Sequence, residues 1–224
     1  VGFQAGINVS TGIKNTLVGS DAGDAITTGG FNAAFGYNAL SAETTGTRSV
    51  AIGTSTLKAQ NVGGDAVVYN TAVGHIAGFA VTTGIYNTLV GALAGDALTD
   101  ADFNVAVGLQ ALSADTLGSR STAVGYNSLA AQNFTTATNS YNVAMGYDAG
   151  GDITTGINNT LLGSLCGNKF TDADSNVAVG YLALAANTTN GSGVAVGASA
   201  LAAQTTGSLN TAVGAAALTT LTGG

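Results

Sequence analysis

The sequence has no proline, no tryptophan, and only one cysteine, one histidine and one methionine. Charge is scarce too: 8% of residues, five Lys or Arg against twelve Asp or Glu, for a formal net charge of -7. Each shortage removes a class of protein. Without proline, and without glycine at every third position, a collagen-like triple helix is excluded. A lone cysteine excludes an internal disulfide framework and a cysteine-based zinc site. Five basic residues are too few for a phosphate-backbone interface, so no nucleic-acid partner is expected. No apolar run approaches the ~18 residues of a membrane-spanning helix, and the first residues lack a signal-peptide pattern. Aromatics make up 6% of the chain, too little to fill an ordinary core, while 46% hydrophobic content argues against disorder. What remains is a thin, repetitive structure with small residues in tight layers.

The repeat is explicit. A strand-like phrase ending in glycine recurs, as in Asn15-Thr-Leu-Val-Gly19, Asn32-Ala-Ala-Phe-Gly36, Asn70-Thr-Ala-Val-Gly74 and Asn104-Val-Ala-Val-Gly108. Its closing glycines are Gly2, Gly19, Gly36, Gly53, Gly74, Gly91, Gly108, Gly125, Gly146, Gly163, Gly180, Gly197 and Gly214. They lie 17 residues apart, except for two intervals of 21 that end at Gly74 and Gly146. Above the coil sits a longer period, giving supra-repeats 2–73, 74–145 and a shorter 146–213 within one continuous segment, 1–224, whose ends fall in mid-repeat.

Short apolar runs broken by Gly and Asn every ~17 residues leave no space for a helix and read as strands. The expected fold is all-β: a parallel β-solenoid of about thirteen coils, stacked at ~4.8 Å so that columns of the repeat become ladders of like residues. Four residues before the glycine stands Asn, as at Asn15, Asn32, Asn70, Asn87 and Asn104, replaced by Ser49, Ser121 and Gly193. An amide that both donates and accepts can satisfy turn backbone along such a stack. The glycine itself implies positive φ or a close backbone approach.

Two further columns describe the interior. Four residues after the glycine the chain carries Gly or Leu, and the Gly-type coils place a large apolar residue three positions later (Val9, Ile26, Val81, Leu98, Ile153, Phe170). The Leu-type coils carry Glu43, Gln60, Asp115, Gln132, Asn187 or Gln204 there. One large apolar group per coil, at one of two positions, is what a fixed core volume requires. The last coil, with Leu218 and Leu221, does not follow this rule.

The residues one and two before the glycine point to opposite faces of a strand, and both columns are apolar. The first column (Val18, Phe35, Val90, Val107) is expected inside the coil. The second (Leu17, Ala34, Ala51, Ala72, Leu89, Ala106) is then expected to be covered by another copy of the chain, since an apolar stripe left in water is an interaction surface.

At these residues the sequence resembles the head repeats of trimeric autotransporter adhesins, whose Ser-Val-Ala-Ile-Gly phrase is present as Ser49–Gly53. It also resembles the Asn-Asn-Thr-Ala-Val-Gly-Tyr-Asn-Ala-Leu repeats of bacteriophage tail fibres, through Asn158–Gly163 and Gly36–Leu40. The resemblance covers the whole chain, although the coil here is longer than the family's head repeat. It implies a left-handed parallel β-roll, three chains side by side, and attachment to a host-surface or extracellular receptor from a cell or virion surface.

Chemistry is hard to assemble from this chain. Its single histidine, His75, shares a column with Phe3, Tyr37, Tyr126, Tyr147 and Tyr181, and so reads as a surface variant rather than a base. Cys166 shares a column of small residues and reads as a buried filler. Asp100/Asp102 and Asp172/Asp174 lie one long period apart, too far to share a calcium ion, and read as solvated corners. The Thr-Thr-Gly phrases read as turns, since none opens a helix beside a lysine as a phosphate loop does. No catalytic, metal or cofactor-binding residue is expected, and no enzyme.

Contact groups are expected elsewhere. A column five before the glycine holds Lys14, Phe31, Arg48, Tyr69, Tyr86, Phe103, Arg120 and Tyr141. It adjoins the extra residues of the longer coils, 64–69 and 136–141, expected on one edge ~19 Å apart. Tyr69, Tyr86, Arg48, Arg120 and Tyr141 are therefore the candidate contact edge. The alternative readings are a pure spacer in an extracellular filament and a ligand-binding solenoid. The latter includes an ice binder built on the Thr column that runs from Thr27 to Thr222.

Overall fold

The computed structural model describes residues 1–64 and 66–219, which hold β-structure and no helix. Asp65, Leu221 and Thr222 lie outside the described residues. The chain forms two compact units, Val1–Leu109 and the part from Gln110 onward. The first holds β1 (Thr16–Val18), β2 (Ala33–Phe35), β3 (Val50–Ile52), β4 (Thr71–Val73), β5 (Thr88–Val90) and β6 (Val105–Val107). The second holds β7 (Gly118–Ser119), β8 (Thr122–Val124), β9 (Thr138–Asn139), β10 (Val143–Met145), β11 (Thr160–Leu162), β12 (Val177–Val179), β13 (Val194–Val196) and β14 (Thr211–Val213).

Within the first unit β1 to β6 pair in chain order, and within the second β8, β10, β11, β12, β13 and β14 do the same. All these pairs are parallel, and repeat position meets repeat position: Leu17 faces Ala34, Ala72 faces Leu89, and Ala144 faces Leu161. The chain is a β-solenoid of about twelve turns, one strand to a turn. Thirteen glycines yield twelve such strands because Val1–Gly2 contains only the end of the phrase.

The closing glycine is required for two reasons. Gly36 has φ 140°, and a Cβ there would lie 2.4 Å from the carbonyl oxygen of Gly53 in the next coil. Between the glycines the Asn ladder forms as the spacing suggests. Asn15 Oδ1 accepts from the Asn32 N–H (2.9 Å) and Asn70 Oδ1 from the Asn87 N–H (2.8 Å), while Asn87 Nδ2 donates to the Ala101 carbonyl (2.8 Å).

The two faces of the strand are the reverse of the sequence expectation. Ala34, Ala51, Ala72, Leu89 and Ala106 are fully buried in their own coil and Leu17 is half-buried, so this column is interior and cannot be the face offered to another copy. Val18, Phe35 and Val90 are 36–38% exposed and Val107 is half-exposed, so the bulky column points outward. The reason is volume. A coil closed by backbone approaches at every glycine can hold a ladder of alanines, but not a valine or phenylalanine on every rung.

Leucine enters the interior column only where space has been cleared. A Cβ at Gly78 or Gly95 would lie 2.8 Å from a methyl carbon of Leu89, and one at Gly150 would lie 2.7 Å from a methyl carbon of Leu161. Gly-type coils therefore pack Leu89 or Leu161 together with Val81, Leu98, Ile153 or Phe170. Leu-type coils pack Leu40, Leu57, Leu112, Leu129, Leu184 or Leu201 instead.

The polar residues of the Leu-type coils are buried too, and Glu43 and Gln60 join one hydrogen-bonded network. Glu43 Oε1 accepts from the Thr44, Thr45 and Gly46 N–H groups, and Gln60 Nε2 donates to Glu43 Oε2 (2.9 Å) and Ser49 Oγ (2.9 Å). Asn70 Nδ2 donates to Gln60 Oε1 (2.9 Å). Gln60 thus supplies the amide that Ser49 lacks, carrying the ladder across the gap between Asn32 and Asn70. The second unit repeats the device with Asp115, Gln132, Ser121 and Asn142.

The longer coils use their extra residues for a second pairing. In the first unit Thr47 bridges Val67, with Val68 N–H donating to the Thr47 carbonyl (3.0 Å). In the second, β7 pairs with β9, Gly118 facing Thr138.

Candidate interaction surfaces

The outward side of each three-residue strand carries two side chains, its first and third. In the first unit the third positions are Val18, Phe35, Ile52, Val73, Val90 and Val107; in the second they are Val124, Met145, Leu162, Val179, Val196 and Val213. The first positions are Thr, Ala or Val throughout, from Thr16 to Val105 and from Thr122 to Thr211. No charge interrupts either column. Ile52 is 41% exposed and Met145 45%, so each unit has an outer sheet face that is apolar on every rung, aliphatic except at Phe35.

The column five before the glycine is also outside, held there by backbone geometry. Lys14, Phe31, Arg48, Tyr69, Tyr86 and Phe103 all have φ between 52° and 65°. This left-handed conformation turns each side chain off the coil, and it is uncommon for bulky residues. Along the first unit the side chains touch in series. Lys14 Nζ lies 4.8 Å from the Phe31 ring, Arg48 lies 5.1 Å from Phe31 and 5.8 Å from Tyr69, and Tyr69 stacks on Tyr86 at 5.9 Å. Tyr86 then stacks on Phe103 at 5.0 Å, with ring planes within 9° of parallel. In the second unit Arg120 lies over Tyr141 at 6.0 Å, and its guanidinium donates to Asn139 Oδ1. The five candidate contact residues are thus surface groups within these two series. A second aromatic column, one after the glycine, includes Tyr126 and Tyr147, stacked at 5.4 Å.

Other residues singled out in the sequence have local roles. Cys166 is buried, its thiol donates to the Gly163 carbonyl (2.9 Å), and burial pushes its pKa up to about 12. His75 is exposed. The acidic corners hold turns: Asp100 Oδ1 accepts from the Thr83 hydroxyl (2.6 Å), while Asp102 and Asp174 accept from the Ile85 and Ile157 N–H groups. The Thr column is tied down in the same way. The hydroxyls of Thr27, Thr82, Thr154 and Thr171 each donate to the carbonyl of the equivalent threonine one coil on: Thr44, Thr99, Thr171 and Thr188.

Four carboxyl groups, Asp24, Asp96, Asp115 and Asp148, have pKa values raised above 3.8, each chiefly by desolvation. Asp115 is the most enclosed, although its hydrogen bonds from Gln132, Gly118 and Phe134 act in the opposite direction. No family model, curated protein or solved structure matches the chain.

Proposed function

We propose that the chain is a segment of a structural and adhesive fibre, in which identical copies lie parallel and side by side, and that the fibre mediates attachment at a cell or virion surface. One observation carries this reading: each unit keeps a column of large apolar side chains outside although its own interior is already filled. Contiguous apolar surface of this kind marks a contact site, and the absence of charge along it matches the centre of a protein interface. A parallel copy offers the same columns at the same ~4.8 Å rise, so rung meets rung without a change of register. Covering one half-exposed valine or isoleucine contributes roughly 1 kcal/mol, and the column repeats that gain in each coil. The number three, the left-handed roll and the attachment role come from the resemblance to adhesin heads and tail fibres.

The test is the mass of the particle in solution for wild type and for Val73→Glu/Val90→Glu. Both positions are outside the coil, so the variant should keep its β-structure. Wild type is expected at three times the 21.6 kDa of one chain, and the variant as a folded monomer. A wild-type monomer at micromolar concentration, with full β-structure, would overturn the assembly.

A further inference from the structure

The cation and aromatic series of the first unit has features that packing alone does not explain. Its six positions adopt a conformation that asparagine accepts readily and bulky residues do not. The second unit places Asn158 and Ser175 at equivalent repeat positions, with φ 60° at both. The coil therefore closes without an aromatic or a cation there. Lys14, Phe31, Arg48, Tyr69, Tyr86 and Phe103 nevertheless occupy every such position of the first unit. The coil imposes this backbone at every such position, as it does on the interior Leu40 and Leu57; what it does not require is a ring or a cation, and their unbroken run points to a use at the surface.

The chemistry of that surface is set by how the side chains stack. Phe31 has Lys14 and Arg48 over it, and Tyr86 has rings on both sides, Tyr69 and Phe103. Ring faces are the electron-rich part of an aromatic side chain, and here they are turned along the stack towards one another. Ring edges, which carry partial positive charge, point outward, together with two phenol hydroxyls, an ammonium and a guanidinium. The end of the strip from Lys14 to Tyr69 is thus electropositive on a chain of net charge -7. Neutral sugars and nucleobases, which dock on open ring faces, find none in the middle of it.

We propose that this strip is a binding track for an extended acidic polysaccharide whose carboxylate or sulfate groups meet Lys14 and Arg48 while its hydroxyls accept from Tyr69 and Tyr86. Two coils, about 10 Å, separate Lys14 from Arg48. That spacing suits a polymer with widely separated charges better than a nucleic-acid strand with one phosphate per ~3.4 Å. The track names a ligand class for the attachment role and rests on that reading.

The experiment is retention of the full chain on immobilised hyaluronate and kappa-carrageenan, which carry one carboxylate or one sulfate per disaccharide, at low salt, with neutral dextran as control. Wild type should be retained on both acidic polymers and should elute with salt. Lys14→Gln/Arg48→Gln should weaken retention at least tenfold. Phe31→Asn/Tyr86→Asn, which installs the residue used in the second unit, should also weaken it while the melting temperature holds or rises. Absence of wild-type retention, equal retention of the charge-neutralised variant, or equal binding to neutral dextran would each overturn the track. So would tighter binding of a single-stranded oligonucleotide. Particle mass measured alongside separates this from the assembly reading: a monomer that is retained contradicts assembly alone, and an assembled particle that is not retained contradicts the track alone.

Discussion

Gly91 and Gly108 stand in successive coils, so close that a Cβ on Gly91 would lie 2.4 Å from the Gly108 carbonyl oxygen. The obstructing atom is backbone, which cannot swing aside, and Gly91 has φ 136°. Gly91→Ala should therefore cost roughly 3 kcal/mol, combining strain and overpacking. Denaturant unfolding measures this, and a loss below about 0.5 kcal/mol, the level of an ordinary surface substitution, would show that the coils are not held at this distance.

Leu89 and Gly95 should behave as a coupled pair. Leu89→Ala opens a cavity and is expected to cost about 3 kcal/mol. Gly95→Leu alone drives a side chain into Leu89, whose methyl carbon already lies 2.8 Å from the position of a Cβ there. In the double variant the new leucine takes the space that Leu89 vacates, in the conformation that Leu112 already has (φ 55°), although it still meets Leu98, whose methyl carbon lies 2.8 Å from the same Cβ position. The double variant should thus be less destabilised than the sum of the singles, and strict additivity would contradict the shared volume.

The period and the interior were legible in the sequence to different degrees. Identical spacing of Gly19, Gly36 and Gly53 sufficed for coil and register, because a stack makes spacing into geometry. Which strand face turns inward was not legible from polarity, since Leu89 and Val90 are both apolar. Side-chain volume held the missing signal: alanine dominates one column, and leucine enters it only beside Gly78 and Gly95 or their equivalents. The contact series was visible as composition, but its left-handed backbone was not, because Phe31, Arg48 and Tyr69 are residue types that rarely adopt it. Burial of Glu43 and Gln60 was hidden for a similar reason. Nothing local distinguishes a glutamine on a solvated corner from one bridging three coils.

Gln60 carries much of that internal network. Gln60→Leu would remove the Gln60 donor to Glu43 Oε2 and to Ser49, as well as the acceptor of the Asn70 amide. A loss of about 3 kcal/mol is expected from the buried groups left without partners. Thermal melting of Gln60→Leu beside the surface control Lys58→Gln checks this; equal melting temperatures would mean that water replaces the amide at no cost.

Acid should stabilise this protein over the range in which many others lose stability. Because desolvation raises the pKa values of Asp24, Asp96, Asp115 and Asp148 above 3.8, the folded chain binds more protons than the unfolded chain between 3.8 and those values. Stability then rises as pH falls through the folded values and levels off below 3.8, once both states are protonated. The melting temperature should be higher at pH 4 than at pH 7, and a fall over that interval would contradict the burial of these carboxyls.

Cysteine cross-linking at two adjacent positions tests the orientation of the strands and the assembly together. With Cys166 replaced by Ala, Val90→Cys puts a thiol on the outer aliphatic column and Leu89→Cys puts one inside the coil. Under mild oxidation Val90→Cys should join copies covalently in high yield, while Leu89→Cys should stay monomeric on a denaturing gel and unreactive to thiol reagents until unfolded. Cross-linking through Leu89→Cys, or a folded Val90→Cys protein that remains uncross-linked, would contradict the outward aliphatic face as the surface on which copies meet.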